Sequence, residues 1–213
     1  MATYDLDEQE RLDELKAWWK RWGNLVLIAL AVAIAAVAGW RYWQNRVTTQ
    51  SLEAGAVFER LTASMEAGDA KTAREAGAML VEQYKGTAYA PRAAMLVAKL
   101  DVGAKDLKSA QARLEWAVNN TKEPAIRDQA RLRLASVQLD QQAHDAALKT
   151  LSAPHSDAYA FRFQDLRGDV LLAQGKPADA RAAYQAAFAK MAEDNPYRAI
   201  VELKLDALGG ETK

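Results

Sequence analysis

The apolar positions of this chain fall into two regimes. Between Arg21 and Arg41, nineteen residues from Trp22 to Trp40 carry no formal charge, and Leu25 to Ala38 are apolar without interruption. As a helix rising 1.5 Å per residue they would cover about 28 Å, close to the ~30 Å hydrocarbon thickness of a bilayer. Trp18, Trp19 and Trp22 flank one end, and Trp40, Tyr42 and Trp43 the other. Amphipathic rings are stable at headgroup depth, and Lys20, Arg21, Arg41 and Arg46 can snorkel there, so the pattern predicts a membrane-spanning helix. Ahead of it, Leu12, Leu15, Trp19 and Trp22 share one helical face, with Glu8, Glu14 and Lys20 mostly off it. That spacing predicts a short amphipathic helix on the cytoplasmic surface. Residues 1–10, rich in Asp and Glu, have the alternative of a flexible acidic tail.

From Val47 onward the period changes. Alanine and leucine recur at helical spacing, and Pro91, Pro124, Pro154, Pro177 and Pro196 each sit beside a turn signal. No stretch keeps the two-residue alternation of a strand; "YAFRF" (159–163) is too short to count. The second regime is all-α, built of short paired helices. In "RGDVLLAQGKPADARAAYQAAFAK" (167–190), Gly168, Gly175, Ala180, Tyr184 and Ala187 resemble the tetratricopeptide (TPR) pattern. Ala135, Ala147 and Leu151 lie 33 residues earlier at the equivalent places, and Ala98, Ala110, Leu114 and Ala117 repeat the set once more. A degenerate copy is expected over about 51–84, with Ala73 aligned to Ala110. Small residues let two helix backbones approach, and a larger one a turn later fills the gap to the next pair. Ile200, Leu203, Leu205 and Leu208 are expected to close the open end as a terminal helix. An irregular alanine-rich bundle is the alternative to a stack.

Charge and chemistry narrow the function classes. Six of the 28 basic and six of the 28 acidic residues precede Val47, so the remainder carries 22 of each and no net charge. Such balance argues against nucleic acid or an anionic surface as its main partner. The chain has no cysteine, which fits an exported domain without demanding one. No phosphate loop or metal-ligand spacing occurs, so no cofactor is expected. His144 beside Asp145 reads as a turn arrangement rather than a catalytic dyad, and no enzyme is expected. Ala36-Val37-Ala38 has the form of a signal-peptidase site, but the stretch before the apolar run is 24 residues long and opens acidic, unlike a secretory n-region, and an uncleaved anchor is the reading preferred. Arg11, Lys16, Lys20 and Arg21 against Arg41, Arg46 and Arg60 give a slight bias toward a cytoplasmic N-terminus.

What remains are surfaces. If the first helix of each pair lines a concave face, that face carries Arg92, Met95, Lys99 and Val102, then Gln129, Leu132, Ser136 and Leu139, then Arg162, Asp165, Asp169 and Leu172. Mixed apolar and charged side chains suit loose contact with extended chains. Of the Lys and Asn set that clamps C-terminal carboxylates in cytosolic co-chaperone TPRs, only Lys99 is in a suitable place. Within the span, Ala31, Ala35 and Gly39 recur every four residues, a candidate stripe for helix packing in lipid.

The order of these features resembles the ancillary SecYEG translocon subunit (YfgM-like) family of bacterial inner membranes. The resemblance is carried by "LKAWWKRWGN" (15–24), "GWRYWQ" (39–44), "LRLASVQLDQQAHDAALKTL" (132–151) and "DLRGDVLLAQGKPADARAAY" (165–184). It implies a cytoplasmic N-terminal segment (1–21), a transmembrane helix (22–43) and a TPR-like periplasmic domain (44–213). It further implies association with the Sec translocon and with a membrane-anchored periplasmic prolyl-isomerase-like chaperone, and the handing of unfolded secreted proteins to periplasmic chaperones. A scaffold for an envelope assembly, in cell division or outer-membrane biogenesis, is one alternative; a membrane-tethered stress-response regulator is another.

Overall fold

The computed structural model describes residues 3–209, with side chains from residue 11, so the acidic opening at 1–10 lies outside the described side chains. Among the described residues there is no strand. The chain divides into two compact units, 1–50 and 51–213. From Thr3 onward the first is helical and belongs to α1 (Thr3–Glu66). From Arg11 to Gln50 every residue but Gly23 is exposed, including Leu25, Ile28, Val32, Ile34 and Val37. An apolar helix with no protein packed on it is the expected state of a segment solvated by lipid, and α1 is long and apolar enough to cross a membrane. The amphipathic segment at Leu12–Trp22 is not a separate element. It forms turns of α1, and the Trp19 ring lies 3.1 Å from where a Cβ at Gly23 would stand.

The second unit is a series of helix pairs. The end of α1 pairs with α2 (Ala70–Gln83) through Leu61, Ala73 and Leu80, α3 (Tyr89–Gly103) with α4 (Leu107–Asn120), α5 (Pro124–Asp140) with α6 (His144–Leu151), and α7 (Ala160–Ala173) with α8 (Pro177–Ala189); α9 (Arg198–Ala207) follows. The four turns inside the pairs are one motif used four times. Gly68, Lys105, Gln142 and Gly175 each take a positive φ of 75°, 62°, 60° and 73°. The next amide in each case donates back to Ser64, Asp101, Gln138 or Leu171, closing a Schellman turn. Asp69 and Asp106 cap the helices that follow, accepting from the amides of Thr72 and Ser109 at 3.0 Å. The later pairs manage without a side-chain cap, α8 starting on Pro177.

No pair owns its core. Leu61, Ala73 and Leu80 of the first pair bury together with Ala93 and Val97 of α3. Ala98, Ala110 and Leu114 bury with Ile126, Ala130 and Leu134 of α5. Ala135, Ala147 and Leu151 bury with Phe163 and Val170 of α7, and Ala180, Tyr184 and Ala187 with Val201 and Leu205 of α9. Each seam therefore joins a pair to the first helix of the next one. The long connection from Ser152 to Tyr159 is held by buried Asp128, which accepts from the Ser156 amide at 3.0 Å and its hydroxyl at 2.8 Å. His155 stacks on Phe163 at 4.1 Å.

The terminal helix closes the series with a different stripe from the one expected. Val201 and Leu205 are buried and Leu208 partly so, but Ile200 and Leu203 are 45% and 70% exposed. Six apolar residues spread over 200–208 cover more than one face of a helix, and the last seam accepts only those spaced by three and four.

Candidate functional site

The seam-facing residues fix a register for the first helices. Ala93, Ala130, Phe163 and Val201 are equivalent, as are Leu100, Val137, Val170 and Leu208. The same register lines up Arg92, Gln129, Arg162 and Ile200 in one row, and Met95, Leu132, Asp165 and Leu203 in the next. Lys99, Ser136, Asp169 and Ala207 form the third row, and Val102, Leu139 and Leu172 the fourth. Two bonds confirm the alignment. Arg133 donates to the Met95 carbonyl at 3.4 Å, and Lys204, its equivalent in α9, donates to the Asp165 carboxylate at 2.8 Å.

Much of this face is bound up internally. The Arg92 guanidinium makes a two-pronged pair with Glu123 at 2.9 and 2.7 Å. Those hydrogen bonds hold the Glu123 carboxyl below its ordinary range despite partial desolvation. Gln129 donates to the Tyr159 hydroxyl at 2.6 Å. Glu123 and Tyr159 each stand just before the next first helix, so the first row clasps pair to pair. Met95 is buried. Asp165 is buried beneath Lys204 and the Tyr197 hydroxyl (3.1 Å), and is turned away from the surface on which it was expected. Asp169 takes Lys204 at 2.7 Å and the Tyr184 hydroxyl at 2.7 Å.

That cluster is the most strongly perturbed group of charges described. Burial works against the Lys204 ammonium, but hydrogen bonds from it to Asp165 and Asp169 outweigh the loss and raise its pKa. Burial, then the neighbouring carboxylates, push both Tyr184 and Tyr197 upward. The arrangement locks α9 onto α7 and α8; it has no free acid or base aimed at a cleft. Sequence spacing could not show it, because Lys204 and Asp165 are 39 residues apart.

Lys99, Arg162 and Leu172 remain exposed, and Leu132 and Leu139 are half-buried. Between α3 and α5 the face opens into a groove of about 240 Å³ over Ala98, Val102 and Val137, rimmed by Lys99, Arg133 and Asp140. Arg133 and Asp140 were not among the residues expected there. In α1, Ala31, Ala35 and Gly39 are all exposed, and a Cβ at Gly39 would meet nothing within 4 Å. Among the described residues no group of three or more His, Asp, Glu or Cys could hold a metal ion.

An exposed apolar helix followed by stacked helix pairs with shared seams defines a helical-repeat protein on a single candidate anchor. The family model described as "Tetratricopeptide repeat-like domain" matches residues 16–210. The chain is 32% identical to the "Ancillary SecYEG translocon subunit" of Neisseria gonorrhoeae, over 98% of this chain and 100% of the relative. Proteins of the same name from Haemophilus influenzae and Escherichia coli are 28% and 27% identical, over 87% of this chain and 90% and 89% of their own lengths. The chain belongs to this tetratricopeptide repeat-like family, that of the ancillary SecYEG translocon subunits.

Proposed function

We propose that the chain is a single-pass inner-membrane protein that associates with the Sec translocon and assists the transfer of secreted proteins to periplasmic chaperones. In this reading residues 1–21 are cytoplasmic, 22–43 span the membrane and 44–213 lie in the periplasm. The observation that carries it is the end-to-end match to a relative named for the translocon, anchor and repeats together. The exposed helix of the first unit supports membrane attachment. The stripe at Ala31, Ala35 and Gly39 supports a helix-packing contact in lipid, and the mixed first-helix face supports weak capture of unfolded chains. A membrane-anchored prolyl-isomerase-like chaperone is the further partner this reading proposes. A tether raises local concentration at a channel exit, so weak capture suffices. The fold's role here is binding rather than catalysis.

Purification of the intact chain in mild detergent tests this reading. The expected result is co-purification of the translocon, reduced when residues 25–38 are replaced by a leucine-rich helix that still inserts. Recovery of other envelope assemblies without the translocon would replace the reading with a scaffold. A reporter active only outside the cytoplasm should work after Lys213 and be silent before Met1; the reverse would remove the secretion role.

A further inference from the structure

From α3 onward the first-helix face has three junctions between neighbouring columns, and the chain treats them in three ways. Between α7 and α9, Lys204 reaches across to Asp165 and Asp169 at 2.8 and 2.7 Å. Between α5 and α7, Leu132, Leu139 and Leu166 pack against the shared core. Between α3 and α5 the same register positions carry different charges. Arg133 stands where α7 has Leu166 and α9 has Lys204, while Met95 and Lys99 stand where α7 has Asp165 and Asp169. A cation therefore faces a second cation at the junction where the last column sets one between two carboxylates. Arg133 makes a long bond to the Met95 carbonyl, 3.4 Å. Among the described residues, Lys99, Arg133 and Asp140 take part in no ion pair. This junction also stays open, as the groove of about 240 Å³ floored by Ala98, Val102 and Val137.

We propose that the α3–α5 groove binds an extended polypeptide segment at an apolar residue that has one acidic neighbour. The apolar side chain fills the floor, and the neighbouring carboxylate takes Lys99 and Arg133. The proposal rests on the client-binding reading above and gives it a substrate class. Charge decides the polar half. Two cations without a counter-charge, on the rim of an apolar groove, favour a carboxylate through charge-assisted hydrogen bonds, and a guanidinium offers it parallel donors. Within this chain the last junction is the precedent: there α7 supplies the carboxylates that α3 lacks. Volume decides the apolar half. About 240 Å³ falls below the roughly 300–1,000 Å³ of small-molecule sites, and suits one or two apolar side chains. Asp140 lines the same groove about two turns beyond Arg133 on α5, and it repels a second carboxylate there. The segment selected is thus apolar with a single acidic neighbour, and not an acidic run.

The test uses the full chain in phosphatidylcholine nanodiscs, whose bilayer carries no net charge. The probes are tetramethylrhodamine-labelled peptides with Gly-Ser flanks, an amidated C-terminus and a Leu-Glu, Leu-Gln, Ser-Glu or Leu-Lys centre, read by anisotropy. Wild type should bind Leu-Glu about tenfold tighter than Leu-Gln, and tighter than Ser-Glu, with the gap narrowing as salt rises. Lys99→Gln with Arg133→Gln should bring Leu-Glu down to the Leu-Gln level. Lys99→Glu with Arg133→Glu should favour Leu-Lys instead. Helicity should be unchanged in both variants, because both side chains are exposed. Equal binding of Leu-Glu and Leu-Gln by wild type, or an undiminished preference in the glutamine variant, overturns the proposal and spares the client-binding reading. Absence of binding by every peptide fails both. A signal matched by empty nanodiscs means the peptide reads lipid, and a wild-type particle holding two chains that becomes single in the glutamine variant means the occupant is a second copy; either overturns the proposal.

Discussion

The first and last helix pairs solve one packing problem in opposite ways. At the crossing inside each pair, the first helix contributes Leu61, Ala98, Ala135 and Gly168 in turn. The second helix contributes Gly77, Leu114, Leu151 and Tyr184. As the first position shrinks from Leu to Gly, the second grows from Gly to Tyr. A Cβ on Gly168 would collide with the Tyr184 ring; a Cβ on Gly77 would collide with Val97 of α3 and meet Leu61 at 3.7 Å. What the fold holds constant is the summed volume at the crossing, and either helix can supply it.

Tyr184→Ala should have the largest effect on that comparison, about 3–5 kcal/mol of lost stability by chemical denaturation, because it empties a fully buried ring site. Gly168→Ala alone should cost about 1–3 kcal/mol through overpacking. Paired with Tyr184→Leu, which rebuilds the Ala–Leu crossing of the middle pairs, it should cost clearly less than the two single changes summed. Strict additivity would show that the two positions do not share one volume.

This inversion also explains what the sequence could and could not reveal. The last pair is legible because Gly168, Gly175, Ala180 and Tyr184 keep the small and large residues in their familiar places. The first pair reads as degenerate because its glycine, Gly77, stands where the template wants a wedge. The anchor is legible because lipid imposes a composition rather than a partner. The first-helix face was legible only in outline: residue spacing places Asp165 and Met95 on it, but their burial depends on residues a whole pair away. The register of α9 follows from Val201 and Leu205 meeting α7 and α8, a contact invisible in the periodicity of 198–208.

Ala180→Leu should cost about 1–3 kcal/mol, since Ala180 is fully buried at the last crossing. Ala178→Leu, exposed in the first turn of α8, should stay within about 0.5 kcal/mol. Equal melting shifts would disprove the register at this end.

The last pair and α9 should also be more alkali-sensitive than α3 and α4. Folded pKa values of Lys204, Tyr184 and Tyr197 lie above their unfolded ones, so the stability they lend is complete below about pH 10 and declines as pH rises past it. Hydrogen exchange should show α9 loosening before α4 in that range. Loosening of both together would mean that the cluster is not what fastens α9.

The smallest effect is expected at the turns. Gln142 holds a positive φ that costs a non-glycine residue about 1–2 kcal/mol, part of which glycine's greater unfolded freedom cancels. Gln142→Gly should therefore stabilise by under about 1 kcal/mol, and Gly175→Ala should destabilise. A loss at Gln142 would mean its side chain contributes something the turn geometry does not show.

Seams shared between neighbours also set where the second unit breathes. Detaching α9 sacrifices one seam, whereas freeing α5 sacrifices two, those it shares with α3 and α4 and with α6 and α7. Fluctuations should therefore be graded along the chain rather than uniform, with opening most frequent at its C-terminal end. Transient undocking of α9 would bare Tyr184, Ala187 and Met191, apolar surface that the closed form hides. The last described helix would then act as a thermally worked shutter, its opening frequency set by the seam at Val201 and Leu205 together with one lysine and two aspartates.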